Sequence, residues 1–217
     1  MWIAESDDIS DGSFLESVIK EFSDSVGLVY TQSNSIDEEG VISYSFINHT
    51  SDLDSELWNH DFVMGGSEFV KKYMLLKNPI PNASAVVFKK DLYFEVGGLN
   101  TLFMINGDWD FYTRILKKAN ISFIHKPLNC FRQHSNNGSL NNIQNGNNIK
   151  EYYWLAKRWV RDFDLSPEEK NKLNDHIFSI WKRQFHNDSF QLFSKTFRNI
   201  FPAAIKQDKS VLFKILA

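Results

Sequence analysis

Residues 2–8 read WIAESDD, in which an apolar segment is followed by four polar residues, three of them acidic. The apolar segment is typical of the end of a buried strand, and the acidic residues after it predict a turn. In extended backbone, side chains two residues apart point the same way, so Glu5 and Asp7 could bind one ligand. Carboxylate oxygens at a strand end suit a hard divalent cation such as Mg²⁺ or Mn²⁺. The alternative is a solvated acidic turn in which Asp8 or Asp11 caps the following helix.

Strands alternate with amphipathic helices over the next part of the chain, up to about residue 135. Apolar spacing predicts helices over residues 13–22, 66–78, 91–98 and 108–119, and strands over residues 27–32, 82–90 and 121–134. Residues 41–59 are expected to form a long ordered loop, and the Asn-, Gly- and Gln-rich residues 136–148 a mobile one. This alternation predicts an α/β fold.

From Ile149 onward the sequence predicts helices. Ser166, Pro167 and Glu169 have the spacing of a capping box, so we expect one helix to begin there. Further on, phenylalanines recur at three- and four-residue steps: Phe190, Phe193, Phe197 and Phe201. Such a stripe favours packing against the protein's own core, and the alternative is a helix that lies on a membrane surface.

The bulk composition of the 217 residues excludes several classes of protein. The net charge is −3, so the chain lacks the positive charge through which proteins bind nucleic acid. Cys130 is its single cysteine, which excludes an internal disulfide and a Cys-rich zinc site and fits a reducing compartment. No apolar run has the length of a membrane span and no signal peptide is recognisable, so we expect a cytoplasmic protein.

Two further motifs carry polar residues at places suited to a functional site. In GDWDF, Asp108 and Asp110 come at the start of a predicted helix, where the helix dipole stabilises carboxylates. Alternatively, Asp108 acts as a general base at a loop-to-helix junction. In FRQHSNNGS, His134 could bind a metal or a phosphate, and Arg132 could bind a carboxylate or a diphosphate. The alternative for His134 is a plain surface histidine.

The order and spacing of these segments are more specific than any one of them. ESDD after an apolar strand, then PNASAVVFKK, VGGLN, NGDWDFYTRIL and HKPLNCFRQHSNNGS, together resemble the second half of a family 2 glycosyltransferase domain of the GT-A type. The resemblance covers residues 1–140. It implies a partial GT-A sheet with flanking helices over residues 1–145, followed by a helical C-terminal extension over residues 146–217.

The resemblance implies roles for individual residues. Glu5, Asp7 and Asp8 match the family's DXD-type motif, which holds a divalent cation against the diphosphate of a sugar nucleotide. Glu5 replaces the usual first aspartate, and Asp7 is the firmest metal ligand. Asp108 matches the base that deprotonates the acceptor, and Gly107 stands where the family usually has a supporting glutamate. The other expected site residues, near the metal or in the donor and acceptor pocket, are His134, Asn82, Ala83, Ser84, Gly97, Gly98, Trp109, Asp110 and Arg132.

The chemistry that the resemblance implies is an inverting sugar transfer. The acceptor oxygen, deprotonated by Asp108, attacks the anomeric carbon of a UDP- or dTDP-sugar while the diphosphate leaves. Mn²⁺ or Mg²⁺ would neutralise the charge that builds on this leaving group. The expected acceptor is a glycan or a lipid-linked molecule, and the C-terminal helices would contact the inner face of the plasma membrane peripherally.

One departure from the family pattern concerns the position of the acidic motif. In the family this motif follows the βαβ units that bind the nucleotide base, whereas here it begins at residue 5. We therefore expect the nucleotide-binding half to be missing, as in a truncated gene product, a fragment or one half of a split enzyme. The alternative to an enzyme is a non-catalytic carbohydrate-binding or interaction remnant, in which Asp7 and Asp108 would be dispensable.

Overall fold

The computed structural model describes the backbone of residues 1–133 and 147–187, and the side chains of residues 1–133 and 148–180. Over these residues the fold is mixed α/β, with a curled six-stranded sheet and flanking helices. His134 and the phenylalanine stripe from Phe190 to Phe201 lie outside the described residues.

The secondary structure follows the alternation expected from the sequence. The strands are β1 (Ile9–Ser10), β2 (Val26–Ile36), β3 (Ile42–Ser45), β4 (Phe62–Met64), β5 (Val86–Phe88) and β6 (Asn120–Arg132). The helices are α1 (Phe14–Lys20), α2 (Ile47–Thr50), α3 (Gly66–Phe69), α4 (Lys90–Glu95), α5 (Gly107–Leu116), α6 (Asn147–Asp162) and α7 (Pro167–Asn187). Shorter turns are the 3₁₀ turns Leu57–Asn59 and Ala83–Ala85 and the π-helical turn Val70–Met74.

Strand β2 lies at the centre of the sheet and is buried along almost its whole length. It pairs in parallel with β6 and antiparallel with β3 and β5, while β6 also pairs antiparallel with β1 and β4. A strand covered on both faces is expected to be a continuous apolar run, but the second half of β2 reads TQSNSI. At the end of these parallel strands Ile36 is paired with Arg132. Ligands of α/β proteins usually bind at this edge, outside the carboxyl ends of parallel strands.

The apolar start of the chain extends the sheet beyond β5 through a single β-bridge between Trp2 and Val87. Two hydrogen bonds support this bridge. The amide N–H of Phe88 donates to the carbonyl of Met1 at 3.0 Å, and the α-amino group of Met1 donates to the carbonyl of Phe88 at 2.5 Å. The acidic turn that follows is thereby fixed beside β5.

Aromatic packing holds α3 and the 3₁₀ turn Leu57–Asn59 against the sheet. Tyr30 of β2 lies 4.7 Å, ring centre to ring centre, from Phe123 of β6, and its hydroxyl accepts a hydrogen bond from the indole of Trp58 at 2.8 Å. Phe69 contacts both Tyr30 and Trp58. Offset and edge-to-face pairs of this kind add to the stabilisation from burial, so this cluster is a major part of the core.

The prediction of a long loop over residues 41–59 is wrong in part, because this stretch contains β3 and α2. The strand reads ISYS, in which apolar and polar residues alternate, but it is only four residues long and three of the four are exposed. It is held by backbone pairing with β2 and by the hydroxyl of Ser43, which donates to the carbonyl of Ser35 at 3.1 Å. Short elements of this kind depend on tertiary pairing more than on local propensity.

The described residues form two compact units. Among the described residues, the first comprises 1–100 and 108–133, and the second comprises 101–107 and 147–187. In the second unit the capping box that starts α7 is confirmed. The Glu169 N–H donates to the Ser166 hydroxyl at 3.1 Å, and the Ser166 N–H donates to the Glu169 carboxylate at 2.6 Å. None of the helices in the described parts of the chain combines the length and the apolar character needed to cross a membrane.

Candidate active site

The acidic turn is fixed through the carboxylate of Asp8. One oxygen, Oδ2, accepts a hydrogen bond from the side-chain amide of Asn82 at 2.7 Å. The other, Oδ1, accepts from the backbone N–H of Arg132 at 3.0 Å. Asp8 therefore ties the turn to the residue before the 3₁₀ turn Ala83–Ala85 and to the last residue of β6.

Ser84, which is buried within that 3₁₀ turn, holds the beginning of the acidic stretch. Its hydroxyl accepts a hydrogen bond from the backbone N–H of Glu5 at 2.9 Å, and its carbonyl accepts from the indole N–H of Trp2 at 2.8 Å. Of the three neighbours predicted to shape the pocket, Asn82 and Ser84 thus contact the acidic turn directly, and Ala83 lies between them.

Asn82 is joined to a polar network of Ser33 and Asn129, both of which are buried in the sheet. The hydroxyl of Ser33 is 3.3 Å from Oδ1 of Asn82 and 3.2 Å from Oδ1 of Asn129, and it can donate to either. The amide of Asn129 in turn donates to the carbonyl of Ile9 and to the hydroxyl of Ser10, both at 3.4 Å. Ser33 and Asn129 were not predicted as site residues. The signal that could have found them is the run of polar residues in a central strand, because buried polar groups need partners.

Arg132 holds the acidic turn through backbone carbonyls. Its guanidinium donates to the carbonyl of Asp7 at 3.1 Å and to the carbonyls of Asp37 and Glu38 at 2.7 and 2.9 Å. These bonds join the acidic turn to the turn between β2 and β3. The sequence suggested a carboxylate or a diphosphate as the partner of Arg132, whereas in the structure the guanidinium binds these three carbonyl oxygens.

Three carboxylates lie near enough to Glu5 to affect its pKa. The pKa of Glu5 is raised to about 7, chiefly because the group is partly desolvated, and further because Asp8, Asp7 and Asp108 lie close to it. Burial raises the pKa of Tyr112, with smaller contributions from Asp108 and Glu5. The structure therefore brings the two acidic motifs together, although about a hundred residues separate them in the sequence.

Asp108 is oriented by two hydrogen bonds. Its Oδ2 accepts from the side-chain amide of Asn78 at 3.3 Å, and its Oδ1 accepts from the backbone N–H of Trp109 at 2.7 Å. The indole of Trp109 is buried and donates to the carbonyl of Met74 at 3.1 Å. Asp108 therefore has the position of a helix N-terminus carboxylate and also lies near the acidic turn. Its role as a general base stays a prediction.

The carboxylates suit a divalent cation in their chemistry, since hard cations prefer oxygen ligands. They also repel one another, which adds to the effect of burial in raising the pKa of Glu5, and a cation would relieve that repulsion. However, no three acidic, histidine or cysteine side chains in residues 1–133 and 148–180 converge as a complete metal site. The residues present fit an ion held by one or two carboxylates, with water and substrate oxygens as its other ligands, which is the usual arrangement for Mg²⁺.

Asp110 and the end of α4 are joined through Arg114. The carboxylate of Asp110 is fully buried and forms an ion pair with Arg114, Oδ2 to Nη2, at 2.8 Å. Arg114 also donates to the carbonyls of Val96 and Gly98, at 2.5 and 2.7 Å. Gly97 and Gly98 both have positive φ and end α4, a conformation that glycine adopts without strain. In the structure these residues hold the end of α4 against α5.

Comparison with known proteins gives a similarity over more than half of the chain. The chain is 26% identical, over 136 residues, to a protein of Haemophilus influenzae described as an uncharacterized glycosyltransferase. The chain resembles a glycosyltransferase. The alignment covers 59% of the chain and 46% of that relative, so the chain spans about half the relative's length. No family model matches the chain.

Proposed function

We propose that this chain carries the metal and acceptor side of a family 2 glycosyltransferase of the GT-A type. Its substrates are a UDP- or dTDP-sugar donor and a hydroxyl of a glycan or lipid-linked acceptor. The observation that carries the proposal is the convergence of the acidic turn, Glu5 to Asp8, with Asp108 in the first unit. Similarity to a glycosyltransferase supports the reaction class.

The proposed reaction is an inverting displacement in which Asp108 acts as the general base. Its carboxylate accepts the proton of the acceptor hydroxyl while that oxygen forms a bond to the anomeric carbon. The bond from this carbon to the diphosphate oxygen breaks, and the electron pair leaves with the diphosphate. The hydrogen bonds from the Asn78 amide and the Trp109 N–H fix the direction of this carboxylate.

The role of the acidic turn is to hold a divalent cation and to place it against the leaving diphosphate. Asp7 and Glu5 would hold the cation, while Asp8, whose oxygens accept hydrogen bonds from Asn82 and Arg132, would hold the turn. When bound, Mn²⁺ or Mg²⁺ supplies positive charge where negative charge develops in the transition state. Asp8 keeps the turn in the orientation that this binding requires.

The first test is the thermal stability of the chain with UDP and Mn²⁺, compared with Asp7→Ala. Ligand that binds only the folded state raises the melting temperature, so we expect a rise that Asp7→Ala abolishes. The second test is release of nucleoside diphosphate from a panel of UDP- and dTDP-sugars. Asp108→Asn should lower this release at least about a hundredfold, since general-base catalysis contributes that much.

The competing function is a carbohydrate-binding remnant without catalysis. It predicts that the acceptor glycan still binds, that nucleoside diphosphate is not released from any donor, and that Asp7→Ala and Asp108→Asn change nothing. A cooperative melting transition that UDP and Mn²⁺ leave unmoved, together with no release, would therefore refute the proposed transfer reaction for this chain.

A further inference from the structure

Glu151, on α6, is a buried carboxylate to which the reaction proposed above gives no role. Only 2% of the residue is exposed. Its Oε1 accepts the backbone N–H of Met104 at 2.6 Å, and its Oε2 accepts those of Ile105 and Asn106 at 3.0 and 2.8 Å. One side chain thus binds three consecutive backbone amides, and hydrogen bonds to an ionised acceptor are among the strongest that proteins form.

These amides belong to the loop of residues 101–107, which is in the same compact unit as α6. The side chains of Leu102 and Met104 are 71% and 66% exposed, so apolar burial of these two contributes little to fixing the loop. Phe103 adds an edge-to-face contact with Trp154, at 5.9 Å between ring centres. In the described part of the chain, α6 thus holds the backbone of the loop through the three hydrogen bonds to Glu151.

The loop runs directly into the first turn of α5. Gly107 is the first residue of that helix, and Asp108 follows it. Glycine restricts its own backbone less than any other residue, so Gly107 does little to define this junction by itself. The last amide that Glu151 holds, that of Asn106, is only two residues before Asp108.

We propose that Glu151 is a positioning residue: it fixes the loop of residues 101–107 and, through it, the first turn of α5 and the direction of Asp108. The catalytic consequence rests on the proposed function of Asp108, whereas the fixing of the loop does not.

The test is amide hydrogen exchange in the whole chain with Glu151→Gln. Glutamine keeps the shape but replaces one acceptor oxygen with an NH₂ group, so at least one loop amide loses its partner. We expect exchange at least about tenfold faster at residues 104–106 and in the first turn of α5, and no change in β2. The control is Glu168→Gln, which alters an exposed glutamate paired with Lys172 on α7 and should change neither region.

Unchanged exchange in the loop would overturn the proposal. So would faster exchange in the loop alone, with the start of α5 unaffected. If Glu151→Gln does not fold, Glu151→Asp takes its place, because it keeps the charge but cannot reach all three amides. It should then increase exchange at residues 104–106.

Kinetics separate this proposal from the proposed reaction. With a donor that the wild-type chain turns over, Glu151→Gln should lower kcat at least about tenfold and leave the donor KM unchanged. An unchanged kcat would overturn the positioning role. Asp108→Asn should lower kcat without altering exchange in the loop. If the wild-type chain releases no nucleoside diphosphate, the proposed function fails, and the exchange pattern alone decides whether Glu151 fixes the junction.

Discussion

Replacing Asp110 with alanine is expected to lower the free energy of unfolding by about 3–5 kcal/mol. The carboxylate of Asp110 has no exposed surface, and the side chain of its partner Arg114 is only 16% exposed. Arg114 also donates to the carbonyls of Val96 and Gly98, so its guanidinium stays in place when the carboxylate is removed. The variant therefore retains a largely buried cation without its counter-ion, which costs more than the ion pair itself contributes.

The matched control is Glu95→Ala, which removes an ion pair of the same type from the surface. Glu95 and Lys118 are 2.6 Å apart, but their side chains are 53% and 43% exposed. Solvent screens such a pair, so its loss should cost less than about 1 kcal/mol. The difference between the two variants isolates the effect of burial.

The assay is urea denaturation at pH 7, followed by far-ultraviolet circular dichroism. Adding Arg114→Met to Asp110→Ala should recover part of the loss, because it removes the uncompensated charge. A free energy of unfolding of Asp110→Ala within about 1 kcal/mol of that of Glu95→Ala would refute the predicted effect of burial. So would a double variant that is less stable than Asp110→Ala. A large loss would support a structural role for Asp110, in place of the acceptor contact that the resemblance implied.

Two further predictions concern charge and packing. Because the pKa of Glu5 is raised to about 7, the folded state binds its proton more tightly than the unfolded state does, and ionisation destabilises the fold as pH rises from 4.5 to 7. Glu5→Gln should therefore raise the free energy of unfolding by about 1 kcal/mol at pH 8, solvent screening included, and leave it unchanged at pH 4. An equal rise at both pH values would contradict this. A Cβ on Gly66 would lie 2.0 Å from the carbonyl oxygen of Ala119 and 2.2 Å from that of Leu116. Gly66→Ala should therefore lower the free energy of unfolding, measured by thermal unfolding, by at least about 1–3 kcal/mol. Gly12 has open space around it, so the free energy of unfolding of Gly12→Ala should stay within about 0.5 kcal/mol of wild type.

Local sequence signals predicted the features that depend on neighbouring residues. Helical apolar spacing located α1 and α5, and the glycine pair Gly97 and Gly98 marked the end of α4. The capping box at Ser166 marked the start of α7. Each of these signals acts over one or two helical turns, so it can be recognised without knowledge of the rest of the fold.

The contacts that build the candidate site were not predictable in the same way. Arg132 binds carbonyl groups that lie 94, 95 and 125 residues away in the chain. Glu151 binds amides that precede it by 45 to 47 residues. No local pattern indicates such partners, because they are brought together only when the sheet and its connecting loops have formed.

The sequence by itself determined the α/β alternation, the caps and the two acidic motifs, since each follows from the chemistry of adjacent side chains. Only the tertiary structure decided that Glu5 and Asp108 lie close enough to affect the same pKa. It also decided that Asp110 is buried against Arg114, and that Glu151 holds the loop before Asp108. The physical reason is that buried polar groups must find partners wherever the fold places them, and those partners are set by packing.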